Sequence, residues 1–228
     1  MAESILNQTI FSVYEIFANI IPGTIVLVTI ILALQRTFSF QNFGKLPESV
    51  FVIFLLFMTF VLGLAIQGIS AFLESYIDKK KYGGYPSSFY LDSTDKTFPE
   101  YLKEGIRKFA NKEFGTPLDA SSQHVFDLCY TYVLQKNVSA RVLQFLRTYT
   151  FARNMTVAMV IEATACFYLL FQQQELWFSL AGVISLCLSY IFYTRFLRYG
   201  KSFGQEVLRS FFIDRASSHA HEKNEGKE

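Results

Sequence analysis

The sequence is poor in the residues that catalysis and metal binding draw on. Its 228 residues include three His, three Cys, five Pro and one Trp. Cys129, Cys166 and Cys187 share no Cys-x-x-Cys spacing. That excludes a disulfide framework and a thiolate zinc site, and the three read as small buried hydrophobes. His124 has no second His or Cys at ligand spacing, and His219-Ala220-His221 lies in a polar tail. No metal and no cofactor are expected. A phosphate-binding Gly-rich loop, a nucleophile elbow and a zinc-protease motif are also missing, so no catalytic residue is assigned and the chain is expected not to be an enzyme. No Lys or Arg precedes the first apolar block, so a cleavable signal peptide is not expected and Met1 should be retained. The net charge of +2 says little taken alone, and no nucleic-acid partner is expected.

What the chain has is apolar surface. It carries 25 Phe, is 51% hydrophobic and 17% aromatic, and has a mean hydropathy of +0.26. The apolar residues gather in blocks too long for ordinary core helices, which points to lipid as the solvent. Crossing ~30 Å of hydrocarbon takes about 20 residues at ~1.5 Å each. Four blocks qualify: residues 17–34, 50–69, 155–171 and 176–196. Tyr168, Trp177, Tyr190 and Tyr193 fall near span ends, where aromatic belts form. Pro22 and Gly23 interrupt the first block, and a hinge is expected there because proline removes a hydrogen bond and crowds the carbonyl of Ala18. Ahead of it, Leu6, Ile10, Val13 and Phe17 repeat at helical spacing, as an amphipathic interfacial helix does.

Lys and Arg set the orientation. Of the 21 in the chain, 12 lie between spans two and three and seven in the tail from Arg195, against two between spans one and two. The positive-inside rule then places both termini and the middle segment in the cytoplasm of a multi-pass cell-membrane protein. The fold class expected is an all-α membrane protein with four transmembrane helices and a small helical cytoplasmic insert between spans two and three. Its parts are an interfacial helix (1–16), a transmembrane hairpin (17–76), a cytoplasmic domain (77–150), a second hairpin (151–196), a juxtamembrane amphipathic helix (197–215) and a disordered tail (216–228).

Within the insert, Thr97-Phe98-Pro99-Glu100 predicts a helix start with Thr97 as cap, and Gly115 a helix stop. A second helix follows residues 119–122, with Val125, Cys129, Tyr132 and Val133 on one side. From Ser139 the pattern runs without interruption into span three. Beyond span four, Phe196, Tyr199, Phe203, Val207 and Phe211 form a stripe that either lies on the membrane or packs on the insert. Lys79, Lys80, Lys81, Arg195, Arg198 and Lys201 form basic runs beside membrane spans, which set topology and attract anionic headgroups.

Glu162 is the most informative single residue. A charge in the middle of a span costs a few kcal/mol, so this side chain should be protonated or paired. It is either an ion or proton site or a neutral acid hydrogen-bonded to a neighbouring helix, with Gln67, Ser185 and Ser189 as the partners expected. Small residues recur every four positions at Gly63, Gln67 and Ala71 and at Ala181, Ser185 and Ser189. They mark helix packing, within one bundle or between copies.

The kinked Pro22-Gly23 span, Gly63-x-x-x-Gln67, a helical insert and Arg153-Asn154 opening span three together resemble small four-span prokaryotic inner-membrane proteins, similar to the membrane subunit of the Kiwa anti-phage defence system. The resemblance covers the architecture of the whole chain and implies an oligomeric inner-membrane sensor or effector. No site residue carries over from it. The partners expected are the lipid bilayer, further copies of the chain and a cytoplasmic protein bound through 77–150. The rival readings are an ion channel or transporter of several copies that uses Glu162, and a membrane-bound lipid-modifying enzyme.

Overall fold

The structure is a computed structural model. It describes the backbone of residues 2–34, 47–82 and 89–225, and the side chains of 18–34, 47–76 and 89–219. Among the described residues it is entirely helical: α1 (Ala2–Leu34), α2 (Glu48–Tyr82), α3 (Glu100–Phe114), α4 (Ser122–Gln135), α5 (Ala140–Gln173) and α6 (Leu176–Glu225). Stretches of α2 (Glu48–Tyr76), α5 (Ala140–Gln173) and α6 (Leu176–His219) are long and apolar enough to cross a membrane, and Ala18–Leu34 of α1 is a shorter apolar helix. The chain divides into two compact units, Met1–Leu73 with Arg147–Leu197 and Glu74–Leu146 with Arg198–Glu228.

In the first unit, α1 runs from Ala2 to Leu34 and passes through Pro22, the position of the expected hinge. Proline costs one hydrogen bond, which apolar helices tolerate when side chains and neighbours supply others. The Thr24 hydroxyl donates to the Ile20 carbonyl in this turn, and Pro22 is buried. The periodic side chains of the expected interfacial helix, 1–16, lie outside the described residues. Next to Pro22 the backbones of α1 and α2 meet. A methyl group added to Gly23 would run into the Thr59 carbonyl, and one added to Gly63 would run into the Asn19 backbone. Glycine is what permits this approach. Val26 of α1, Ile66 of α2 and Ala158 of α5 continue the packing.

The packed register of α2 differs from the expected one. Gly63, Ile66 and Ser70 are buried, while Ala71 is exposed. At 3.6 residues per turn a residue seven positions on returns to within ~20° of the same face, whereas one eight positions on has drifted ~80°. Ser70 thus shares the Gly63 face and Ala71 does not.

The α5–α6 hairpin turns at Gln174, whose φ is 54°, with its N–H donating to the Leu170 carbonyl. A methyl at Gly182 of α6 would press on the Phe167 ring of α5. Phe192 meets Phe151 edge-on, and Phe196 stacks on Tyr149.

The second unit is a small helical domain. Its core joins Ile106 and Ala110 of α3, Val125, Cys129 and Val133 of α4 and Val142 of α5 to Val207, Leu208 and Phe211 of α6. The three α6 residues have no exposed surface. The segment expected as a juxtamembrane helix (197–215) is therefore part of α6 and packs on the insert. Helix α6 continues to Glu225, so the stretch 216–225, expected to be disordered, is helical; 226–228 lie outside the described residues. Contacts beyond the core carry it on. The Ser217 and Ser218 hydroxyls donate to the Asp214 carbonyl, and the His219 ring lies edge-on to Phe109.

Loop chemistry explains the helix ends. Pro99 is the N-cap of α3 with no side-chain cap, and the Thr97 N–H donates to Asp95 Oδ1. Thr97 thus sits in a turn of its own and is not the cap. Gly115 ends α3 at φ 65°, the left-handed conformation glycine adopts without strain. Ser121 caps α4 by accepting from the His124 N–H.

Candidate intramembrane polar sites

Within the first unit two polar groups centre on α5. The first is Glu162. It lies nine residues from Arg153 and nine from Phe171, so ~13 Å of helix separates it from either end of the apolar stretch of α5. Ser185 lies nine residues after Leu176 on α6 and ten before Arg195, at the matching depth. Ser185 is near enough to the Glu162 carboxyl to influence its charge. One turn further on α6, the Ser189 hydroxyl donates to the Thr156 carbonyl at 3.1 Å. Ser185 and Ser189 are both buried, whereas Ala181 is only half-buried beside Gly182, the residue that makes the close contact. Gln67 is half-buried next to Ile66 on α2.

The surroundings of Glu162 define its chemistry. On α5, Met155, Ala158, Met159, Cys166 and Leu169 are all 7% exposed or less, while Ala165, three residues after Glu162, is half-buried. Glu162 lies among these buried residues and is itself half-buried.

The second group lies about two turns towards Arg153, where Asn154 of α5 meets Ser70 of α2. The Ser70 hydroxyl donates to Asn154 Oδ1 at 2.7 Å, and Arg153 Nε donates to Ser70 Oγ at 3.1 Å. Ser70 is 1% exposed and Asn154 not at all, and among the described residues Asn154 Nδ2 has no hydrogen-bond acceptor. Sequence reasoning missed Ser70 and used Asn154 only as part of a short motif. The spacing of seven from Gly63 is the signal that points to Ser70.

In the second unit, two basic side chains one turn apart on α3 hold the loops. Lys103, 2% exposed, donates to the Asp92 and Asp95 carbonyls, both at 2.6 Å, and pairs with Glu100 at 3.4 Å. Arg107 donates to the Leu118 and Ala120 carbonyls and to Ser122 Oγ. Beside them a shallow open recess is lined by Leu91, Asp92, Ser93, Thr94, Glu100 and Arg107. A second polar group fastens α6: the Tyr132 hydroxyl donates to Asp214 Oδ2 at 2.7 Å, and Arg215 pairs with Glu113 at 2.8 Å while lying over the Tyr132 ring. Burial pushes the Cys129 thiol up to about 12. Burial, with the Asp95 charge adding to it, pushes the Tyr90 phenol up to about 12. Both groups are held neutral, so neither serves as a nucleophile at neutral pH.

Among the described residues, no three His, Cys, Asp or Glu side chains gather as a metal site. Arg195, Arg198 and Lys201 are exposed along α6. Lys79, Lys80 and Lys81 fall on the last turns of α2, with side chains outside the described residues. Comparison of the chain with protein-family models, with curated proteins and with solved structures returns no match. Its function is therefore argued from its own residues.

Proposed function

We propose that this chain is a non-enzymatic membrane protein that crosses the bilayer four times and works as an oligomeric sensor, scaffold or membrane-perturbing effector. In this reading both termini and the second unit are cytoplasmic, and the second unit binds a protein partner. Continuity is the observation that supports it: α5 and α6 each run unbroken from an apolar, membrane-length stretch into residues of the second unit, whose core α6 completes. For the fourth crossing, the apolar Ala18–Leu34 spans ~26 Å at ~1.5 Å per residue, and the helical residues before it supply the remaining length. The resemblance to four-span defence proteins would set this activity in anti-phage defence.

Single-cysteine labelling in cells, on a background without the native cysteines, tests the topology. Lys136→Cys should react with an impermeant maleimide only after permeabilisation, and Glu175→Cys already in intact cells. The opposite pattern overturns the orientation. A membrane-potential dye in cells expressing the chain then separates an effector, which depolarises them, from a passive scaffold.

A second reading, an ion channel or transporter built from several copies, draws support from the carboxyl of Glu162 midway along the apolar stretch of α5, which is half-buried, not sealed. Under that reading Glu162→Gln abolishes flux and leaves the assembly intact.

A further inference from the structure

We propose that the Arg195 end of the apolar stretch of α6 holds one anionic phospholipid, its phosphate at Arg195 and Arg198 and an acyl chain along Ile184 and Ile191. The inference rests on the reading of α6 as a membrane span, and goes beyond it by naming a bound partner and its place.

Depth follows from the sequence of α6. Residues 176–194 carry no charge, which is ~28 Å of helix at ~1.5 Å per residue. The hydrocarbon of a bilayer is ~30 Å thick. Arg195, the first charged residue of α6, therefore stands where hydrocarbon gives way to headgroups. Direction follows from ring contacts and helix geometry. Phe192 meets Phe151 and Phe196 stacks on Tyr149, so that face of α6 is turned to α5. At ~100° per residue, Leu180, Ile184 and Ile191 share one stripe within ~40°, about a third of a turn round from Phe192 and Phe196. They are 63%, 49% and 48% exposed. Arg195 and Arg198 end this stripe, one on either side of its line, and both are exposed.

Charge selects the occupant. Among the described residues, neither the Arg195 nor the Arg198 side chain has an ion pair or hydrogen bond. Helix α6 has no Asp or Glu before Glu206. Helix α5 has none from Ala140 to Ile161, a stretch that holds Arg141, Arg147 and Arg153. Two guanidiniums three residues apart, with no carboxylate near them on either helix, suit a phosphate, which accepts paired N–H donors. Length selects a lipid over a free phosphate. From Ile184 to Arg195 the helix rises ~16 Å, the depth of one ~15 Å leaflet of hydrocarbon. A lipid thus meets the apolar stripe with its chain and the arginines with its phosphate at the same time.

The test uses the full chain in detergent micelles and native mass spectrometry, with dioleoyl phosphatidylglycerol and dioleoyl phosphatidylcholine supplied in equal amounts. The protein should retain phosphatidylglycerol in preference. Arg195→Gln with Arg198→Gln should lower that preference about 30-fold. Lys108→Gln with Lys136→Gln removes the same charge from exposed positions of the second unit and should leave it unchanged. Arg195→Lys with Arg198→Lys keeps the charge and should retain most of the preference, which covers the case of a glutamine pair that fails to fold. Glycerophosphoglycerol, the same headgroup without acyl chains, should not displace the lipid. Equal loss in both glutamine pairs means diffuse attraction and overturns the site. Displacement by the headgroup alone means a free-phosphate site and overturns the lipid. A change in the number of copies with bound lipid unchanged assigns the arginines to an interface between copies and also overturns it. Washing vesicles that carry the chain with alkaline carbonate separates the two readings: a chain that washes off refutes the membrane reading itself, and one that stays but shows no lipid preference refutes only the site.

Discussion

The close approach of α1 and α2 can be weighed with a pair of substitutions on one helix. In Gly63→Ala the new methyl meets the carbonyl oxygen, carbonyl carbon and Cα of Asn19, all of them backbone. No rotamer change relieves that collision, so the helices have to separate. Overpacking of this kind costs about 1–3 kcal/mol. Alanine also favours a helix over glycine by up to ~1 kcal/mol, which would mask part of the loss. Gly68 removes the ambiguity. It lies five residues along the same helix, is exposed, and has nothing within 4 Å of the position its methyl would take. Gly68→Ala therefore carries the same propensity gain without the collision. The difference between the two variants isolates the contact, and Gly63→Ala should be less stable than Gly68→Ala by about 1–3 kcal/mol. Reversible unfolding in mixed micelles with increasing dodecyl sulfate, followed by the fluorescence of the single Trp177, measures it. Equal midpoints for the two variants would show that the Asn19 backbone does not lie against Gly63.

The second unit yields further expectations. Phe211 is fully buried, stacked on Phe114 and edge-on to Tyr132, so Phe211→Ala should destabilise that domain by about 3–5 kcal/mol and open it to limited proteolysis. Lys103→Met strips the donors from the Asp92 and Asp95 carbonyls and should cost about 1–3 kcal/mol, seen as faster hydrogen exchange in residues 92–97 than in α4. The neutral Cys129 and Tyr90 predict an alkaline transition. Their pKa values rise on folding, from 9.0 and 10.0 to about 12. The stability they lend is thus fully present below pH ~9 and is lost as pH climbs towards 12, because the unfolded chain releases these protons first. Phenolate absorbance should rise together with the loss of tertiary structure, and ionisation of Tyr90 well before unfolding would count against this assignment. In the membrane unit, Ser70→Ala should cost about 1–3 kcal/mol by leaving the buried Asn154 without its donor, with little further loss when Asn154→Leu is added.

Composition and periodicity alone settled the helical class and the apolar blocks, because a helix that meets lipid must be apolar along its length and shows this residue by residue. Gly115 as a helix stop follows from the backbone conformation that glycine alone adopts freely, and the start of α4 from a Ser at its cap. Other features needed the fold. The stripe at Val207 and Phe211 is equally apolar whether it meets lipid or protein, and only the presence of α3 and α4 against it decides between them. Ala71 and Ser70 are neighbours in sequence, and the helix phase that buries one and exposes the other is set by where Asn154 and Arg153 stand on α5. The oddity of a mid-span Glu162 was legible from its position alone. That Ser185 comes close to it depends on the depth and rotation at which two helices meet, and no local pattern encodes these.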